Sequence, residues 1–123
     1  MIRTVMIDGT QLRMRASARV PFLYRSFFNR DIFADIQSLM VHIQAKTLDD
    51  DAVDVVERVA WVLTLNADPE ALAAAQLTDT QEAFAAWLDQ FDNVLTFMQA
   101  ASPILDMWIA NVAALAVAKK NSD

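Results

Sequence analysis

Residues 11–15 alternate between polar and apolar after an apolar-rich run at 3–7, and from about residue 20 onward apolar residues recur at three- and four-residue intervals. The first period belongs to strands and the second to helices. Arg3-Thr4-Val5-Met6-Ile7 and Gln11-Leu12-Arg13-Met14-Arg15 flank Asp8-Gly9, a strong short hairpin signal. Leu12 and Met14 then face one way, Arg13 and Arg15 the other. An isolated hairpin is marginal in water, so its apolar face must lie on helices or pair with another chain.

The helical part divides at its caps and prolines. Pro21, Pro69 and Pro103 each suit a first helical position, where the missing N–H costs nothing. A short helix Pro21–Phe28 ends at Asn29, a residue that tolerates the left-handed conformation. Asp31 caps a second helix with Ile32, Ile36, Leu39, Met40 and Ile43 on one face. Asp49-Asp50-Asp51 opens a third helix that runs to about Asn66, and Asp68-Pro69 opens a short one ending near Leu77. Asp79-Thr80-Gln81-Glu82 resembles a capping box. The pattern predicts that it starts a long helix with Phe84, Trp87, Leu88, Phe91, Val94, Leu95 and Met98 on one stripe. Ser102-Pro103 then starts the last helix, running to about Lys119 with a favourable cationic end at Lys119-Lys120. The expected fold is mostly α, a compact bundle of about five to six helices with a short N-terminal β-hairpin. It forms a single domain over 1–123, with the hairpin in 1–16 and the helical body in 20–120.

Composition supports a packed globule: 55% of the 123 residues are hydrophobic, 21% charged, and only one is Gly. The most apolar stretch, Ile104 to Ala118, is interrupted by Asp106 and Asn111 and is shorter than the ~20 residues a membrane span needs. No signal-peptide layout opens the chain, so the cytoplasm is the expected compartment. The net charge of −6 is unevenly spread, because residues 1–30 carry six Arg against one acid, Asp8, and the remainder is strongly acidic. Two readings fit this asymmetry. It steers a charged partner or head-to-body self-association, or it only keeps a strand edge soluble.

Chemistry finds little to work with. Without Cys there is no thiolate site, and a single His42 rules out a multi-histidine metal site within one chain. One Gly is too few for a phosphate-binding loop or a dinucleotide fingerprint. The three carboxylates at Asp49–Asp51 suit a helix N-terminus, which explains them without a metal. Asp31/Asp35 and Asp50/Asp54 share helix faces, a common arrangement on solvated helices. The aromatics behind the basic head (Phe22, Tyr24, Phe27, Phe28) are spaced as core residues, and an acidic body repels phosphate. The chain therefore reads as non-catalytic, without cofactor or metal, and without a nucleic-acid or membrane partner.

Some apolar residues exceed one core face. At about 100° per residue, Trp61 and Leu65 point toward the side of the third helix bearing Asp54, Glu57 and Arg58. Phe97 lies off the stripe centre of the long helix. The last helix is apolar nearly all round, with Trp108, Ile109, Val112 and Leu115 on one side and Met107, Ala114 and Val117 on others. Either these are buried within one chain, or they form a groove for an amphipathic helix of a partner. The exposure of Trp61, Phe97 and Met107 decides between the two.

Pro21, Tyr24-Arg25, Asn29-Arg30-Asp31-Ile32 and Leu39, following the hairpin, resemble the N-terminal half of tail assembly chaperones from long-tailed phages and prophages of Gram-positive bacteria. Trp87-Leu88-Asp89-Gln90-Phe91, Trp108 and Lys119-Lys120 continue the likeness in order and spacing. Many relatives have Gly where Asn29 stands. The resemblance implies binding to the tape-measure protein, with the tail tube protein as a second candidate partner. The client is kept soluble while the tube polymerises, and the chaperone is absent from the finished virion. On that basis the expected partner-binding surface is Trp61, Leu65, Phe97, Met107 and Trp108. Family members often also have a frameshifted longer form, for which Lys119-Lys120 could mark a slippery site. A generic oligomeric adaptor and a small DNA-binding regulator are the other readings.

Overall fold

Asp8 and Gly9 take φ values of 51° and 76°. Positive φ at both central residues is what a type I′ turn requires, and its twist matches that of the strands it joins. The computed structural model describes residues 1–47 and 49–121, with side chains to residue 112. In it, β1 (Ile2–Ile7) and β2 (Thr10–Arg15) pair antiparallel, Val5 opposite Leu12. Val5, Ile7, Leu12 and Met14 are buried. This inner face packs on helices, β2 on α3 and β1 on α6, which supplies the cover a lone hairpin lacks.

Among the described residues six helices follow: α1 (Val20–Phe28), α2 (Ile32–Ala45), α3 (Asp50–Asn66), α4 (Pro69–Gln76), α5 (Thr80–Leu88) and α6 (Leu95–Asn121). The expected caps are in place. Asn29 closes α1 in the left-handed region, its N–H donating to the Arg25 carbonyl at 2.8 Å. The carboxylates of Asp31, Asp49, Asp68 and Asp79 accept from the N–H groups of Phe33, Ala52, Ala71 and Glu82. Each satisfies an otherwise orphaned donor of a helix first turn.

Two boundaries differ from expectation. The long helix expected to run through Met98 stops at Leu88, and the last helix starts at Leu95 rather than at Ser102-Pro103. Asp89, Asp92 and Asn93 compete for backbone hydrogen bonds instead of propagating a helix. The Asp92 N–H donates to the Asp8 carboxylate in the hairpin turn at 2.9 Å, and the Asn93 side chain accepts from the Leu95 N–H at 2.9 Å. The chain folds back there, so that Trp87 and Phe91 pack edge-on against Phe97 with ring centroids 5.9 and 5.1 Å away. Pro103 consequently lies inside α6. An interior proline costs about 3 kcal/mol. Phe97, Ala100, Ala101, Ile104 and Leu105, buried on both sides of it, hold the helix continuous. Ala114, Leu115, Val117, Lys119 and Lys120 carried sequence expectations that lie outside the described side chains.

Helix α3 is the centre of the body, packing against β2 and all five other helices. Every residue from Val59 to Leu63 is buried, so this helix is covered all round, as an element inside a domain must be. Its last residue, Asn66, donates to the Arg15 carbonyl at 2.9 Å and the Ser17 hydroxyl at 3.1 Å, tying the hairpin to the helix.

Lys46, the residue closing α2, has φ 57° and accepts no help from its side chain in that conformation. Left-handed backbone costs a residue with a Cβ roughly 1–2 kcal/mol, which glycine avoids in part at the expense of unfolded-state entropy. Lys46→Gly is therefore expected to stabilise the protein by about 0.5–1 kcal/mol, read as a higher urea midpoint.

Candidate functional site

The five residues expected to form a partner surface are all buried: Trp61, Leu65, Phe97, Met107 and Trp108. The preformed surface expected at these side chains is absent. The reason lies in α3. Trp61 does point away from the main valine stripe, but Phe27 and Phe28 of α1 and Phe84 of α5 lie over it, with centroids 5.0, 5.7 and 5.1 Å away. Phe97 is covered by the α5 fold-back, and Met107 faces the interior. Among the aromatics behind the basic head, Tyr24 is buried and Phe27 and Phe28 half-buried, but Phe22 is exposed.

Apolar side chains remain uncovered elsewhere. Met40 and Ile43, expected on the core face of α2, are each 38% exposed, and Ile109 of α6 is 46% exposed. With Met98, Ala101 and Leu105 they line an open groove of ≈ 460 Å³ between the second half of α2 and α6. Phe33, on the first turn of α2 and also exposed, packs on Trp108 at 5.3 Å. Gln44, Lys46, Ser102 and Asp106 supply the polar rim. The groove exists because the apolar stripe of α2 is longer than the part of it that α3 covers, and α6 does not close on the remainder. Two of its six apolar residues are methionines, whose unbranched, polarisable side chains adapt to differently shaped partners.

A polar cluster lies where the α1–α2 corner meets α3. Asp35 is only 7% exposed. The Arg30 guanidinium donates to both its oxygens, at 2.8 and 2.9 Å, and the Tyr24 hydroxyl donates to Oδ2 at 2.7 Å. Arg58 of α3 donates to the Tyr24 oxygen at 3.0 Å and reaches Asp35 at 3.5 Å, with its guanidinium over the Phe28 ring. Burial alone would raise the Asp35 carboxyl pKa. The hydrogen bonds from Arg30 and Tyr24 and the two guanidinium charges outweigh it, and the net shift is downward. Burial likewise pushes the Tyr24 phenol up. Carboxylate and phenol thus hold their neutral-pH protonation states firmly, which suits a structural clasp between three helices better than proton exchange. His42 sits at the surface, 3.3 Å from the Thr47 hydroxyl and 3.8 Å from Asp49.

Asp35 escaped the sequence reading, which paired it with Asp31 on a solvated face. A signal was present: at about 100° per residue Asp35 falls about 40° from Leu39, at the edge of the stripe of Ile32, Ile36 and Leu39. A charge that such an edge position buries needs partners.

Among the described residues no group of three or more acidic or histidine side chains is placed to hold a metal ion. No described helix is long and apolar enough to cross a membrane. Set against models of known protein families, curated proteins and solved structures, the chain has no significant match to any of them.

Proposed function

We propose that this chain is a non-catalytic binding protein whose α2–α6 groove holds an apolar helix face of another polypeptide. The observation that carries the reading is the cluster of uncovered apolar side chains in an open groove with a polar rim. That arrangement fits the helix-in-groove mode, in which anchors spaced i, i+3/i+4 and i+7 enter an apolar channel. The resemblance of the hairpin and of Tyr24-Arg25 and Asn29-Arg30-Asp31-Ile32 to phage tail assembly chaperones makes the tape-measure protein the proposed client. In this role the chain acts in the host cytoplasm, covers client helices reversibly without nucleotide, and leaves as tube subunits polymerise. The tail tube protein is the candidate second partner, met at that displacement.

Coexpression with the tape-measure protein of the same genome tests the proposal. The client is expected to move from the insoluble to the soluble fraction and to co-purify with this chain. Met40→Glu, which places a charge on the groove wall at an exposed position, is expected to abolish co-purification while the variant stays folded. An unchanged insoluble fraction with the natural chain would sink the reading. Full retention of binding by Met40→Glu would remove the groove from it.

A further inference from the structure

The two-residue turn at Asp8-Gly9 decides which way each backbone group of the hairpin points. It closes with Ile7 opposite Thr10, and at the far end the Ala16 N–H donates to the Met1 carbonyl at 2.9 Å. In an antiparallel pair, residues that exchange hydrogen bonds alternate with residues that do not. Arg3, Val5 and Ile7 therefore bond to β2, and the N–H and C=O groups of Ile2, Thr4 and Met6 point to the opposite edge of β1. Among the described residues no third strand pairs with that edge, and α6 packs alongside without a backbone hydrogen bond to it.

The two edges of the hairpin are not alike. On β2, Arg13 and Arg15 supply charge, and the Arg15 carbonyl is taken by the Asn66 side chain. Natural sheets guard free edges with such charges, with proline or with bulges. The residues that offer free backbone groups on β1 are uncharged, and Ile2 and Met6 are more than half exposed. Space lies beside them: Thr4, Val5 and Met6 and, across from them, Thr96, Gln99 and Pro103 of α6 line an open pocket of ≈ 440 Å³. A further strand needs only about 4.8 Å beyond β1.

A ladder of free N–H and C=O groups pairs with extended backbone, and β1 fits its own copy. Run antiparallel about Thr4, Thr4 stands opposite Thr4 and Ile2 opposite Met6, each pair exchanging both of its hydrogen bonds. The exposed apolar side chains then cover one another, as favourable cross-strand pairs do. Arg3 falls opposite Val5, so no like charges meet across the contact. The Arg13 side chains, each opposite a Thr4, stand three strand spacings apart. That is about 14 Å, beyond the ~8 Å screening length at physiological salt.

From this placement we infer that the free edge of β1 pairs with β1 of a second copy, making one four-stranded antiparallel sheet across a two-fold axis. Such a contact is isologous: both copies use the same patch, and the assembly is complete at two chains. The α2–α6 groove lies on the other side of α6 and stays open in both copies. The inference does not rest on the client reading, because the purified chain alone tests it.

Sedimentation velocity of the full chain over a concentration series is the test. The natural chain is expected to pass from single-chain to two-chain mass as concentration rises, to grow no further, and to keep the dimer at high salt. Thr4→Pro removes an outward N–H that the β1–β2 ladder does not use, a change an edge strand tolerates. It is expected at single-chain mass throughout. Thr4→Lys and Thr4→Glu each set like charges face to face on the two-fold axis, and each alone is likewise expected as a single chain. Mixed in equal amounts, they are expected to form a two-chain species containing one of each, because position 4 faces position 4. Circular dichroism checks folding. Amide exchange on the natural chain reads the same edge without substitution, the Thr4 and Met6 N–H groups slowing as concentration rises. Single-chain mass for the natural protein at every concentration overturns the inference. So does growth beyond two chains, a dimer that Thr4→Pro and Thr4→Lys retain, or a mixture without the mixed species.

Discussion

Trp61→Ala is expected to destabilise the protein by about 4 kcal/mol, at the upper end for loss of a large buried aromatic. Its ring joins three helices, lying 5.0 Å from Phe27, 5.7 Å from Phe28 and 5.1 Å from Phe84. The space it leaves has little freedom to collapse. The α1–α2 corner is clasped to α3 through Tyr24, Asp35 and Arg58, and Asn66 holds the far end of the same helix to the hairpin. A cavity term therefore adds to the lost transfer energy. The midpoint of urea unfolding should fall sharply with little change in slope, since the surface exposed on unfolding is nearly the same. If Trp61→Ala kept its stability and lost only client binding, Trp61 would be a contact residue, and the packing described above would be wrong.

That contrast marks how far the sequence could be read. Caps are decided within about three residues, and so Asp8-Gly9, Asn29, Asp31, Asp49, Asp68 and Asp79 were legible, and with them the hairpin and most helix starts. The α5–α6 boundary was not. Phe84, Trp87, Phe91, Val94, Leu95 and Met98 keep helical spacing whether the chain runs straight or folds back on itself, because a fold-back needs the same apolar stripe on both arms. What decides is a contact 84 residues away in the chain, between Asp8 and Asp92. Counting apolar residues indicates more than one core face requires, but Trp61, Leu65, Phe97, Met107 and Trp108 of that surplus are buried, and Ile109 of α6 is the member that lines the groove. An angular sorting of α3 assumes core on one side, whereas neighbours surround this helix. The uncovered residues that line the α2–α6 groove are Met40, Ile43 and Ile109, and the spacing of α2 puts the first two on its core face. The clasp was partly written in the spacing of α2, where Asp35 stands at the edge of the stripe of Ile32, Ile36 and Leu39. Its partner Arg58 lies 23 residues on and cannot be reached by spacing.

Asp35→Ala is expected to cost about 3 kcal/mol at neutral pH, as for removal of one partner from a buried ion pair. The loss falls mainly on Arg58, whose side chain is 16% exposed and cannot turn fully to water, and on the Tyr24 hydroxyl, left without its acceptor. Arg30 is about half exposed and is rehydrated, so it contributes less. Because the carboxyl has a lower pKa folded than its ordinary 3.8, the folded state binds its proton more weakly than the unfolded chain does. The stability this provides is complete above the ordinary carboxylate value and is lost as pH falls through the folded one. The gap between natural chain and Asp35→Ala should thus be widest near neutrality and narrow below the carboxylate range. Asp35→Asn separates charge from shape, since it keeps an oxygen acceptor and carries no charge. It is expected to fall well below the natural chain at pH 7 and to show none of the Asp35 contribution to the acid limb. Urea unfolding of the three proteins across pH measures all of this. A gap that stays constant from neutral pH to well below the carboxylate range would mean that packing around Asp35, and not its ion pairs, holds the α1–α2 corner on α3.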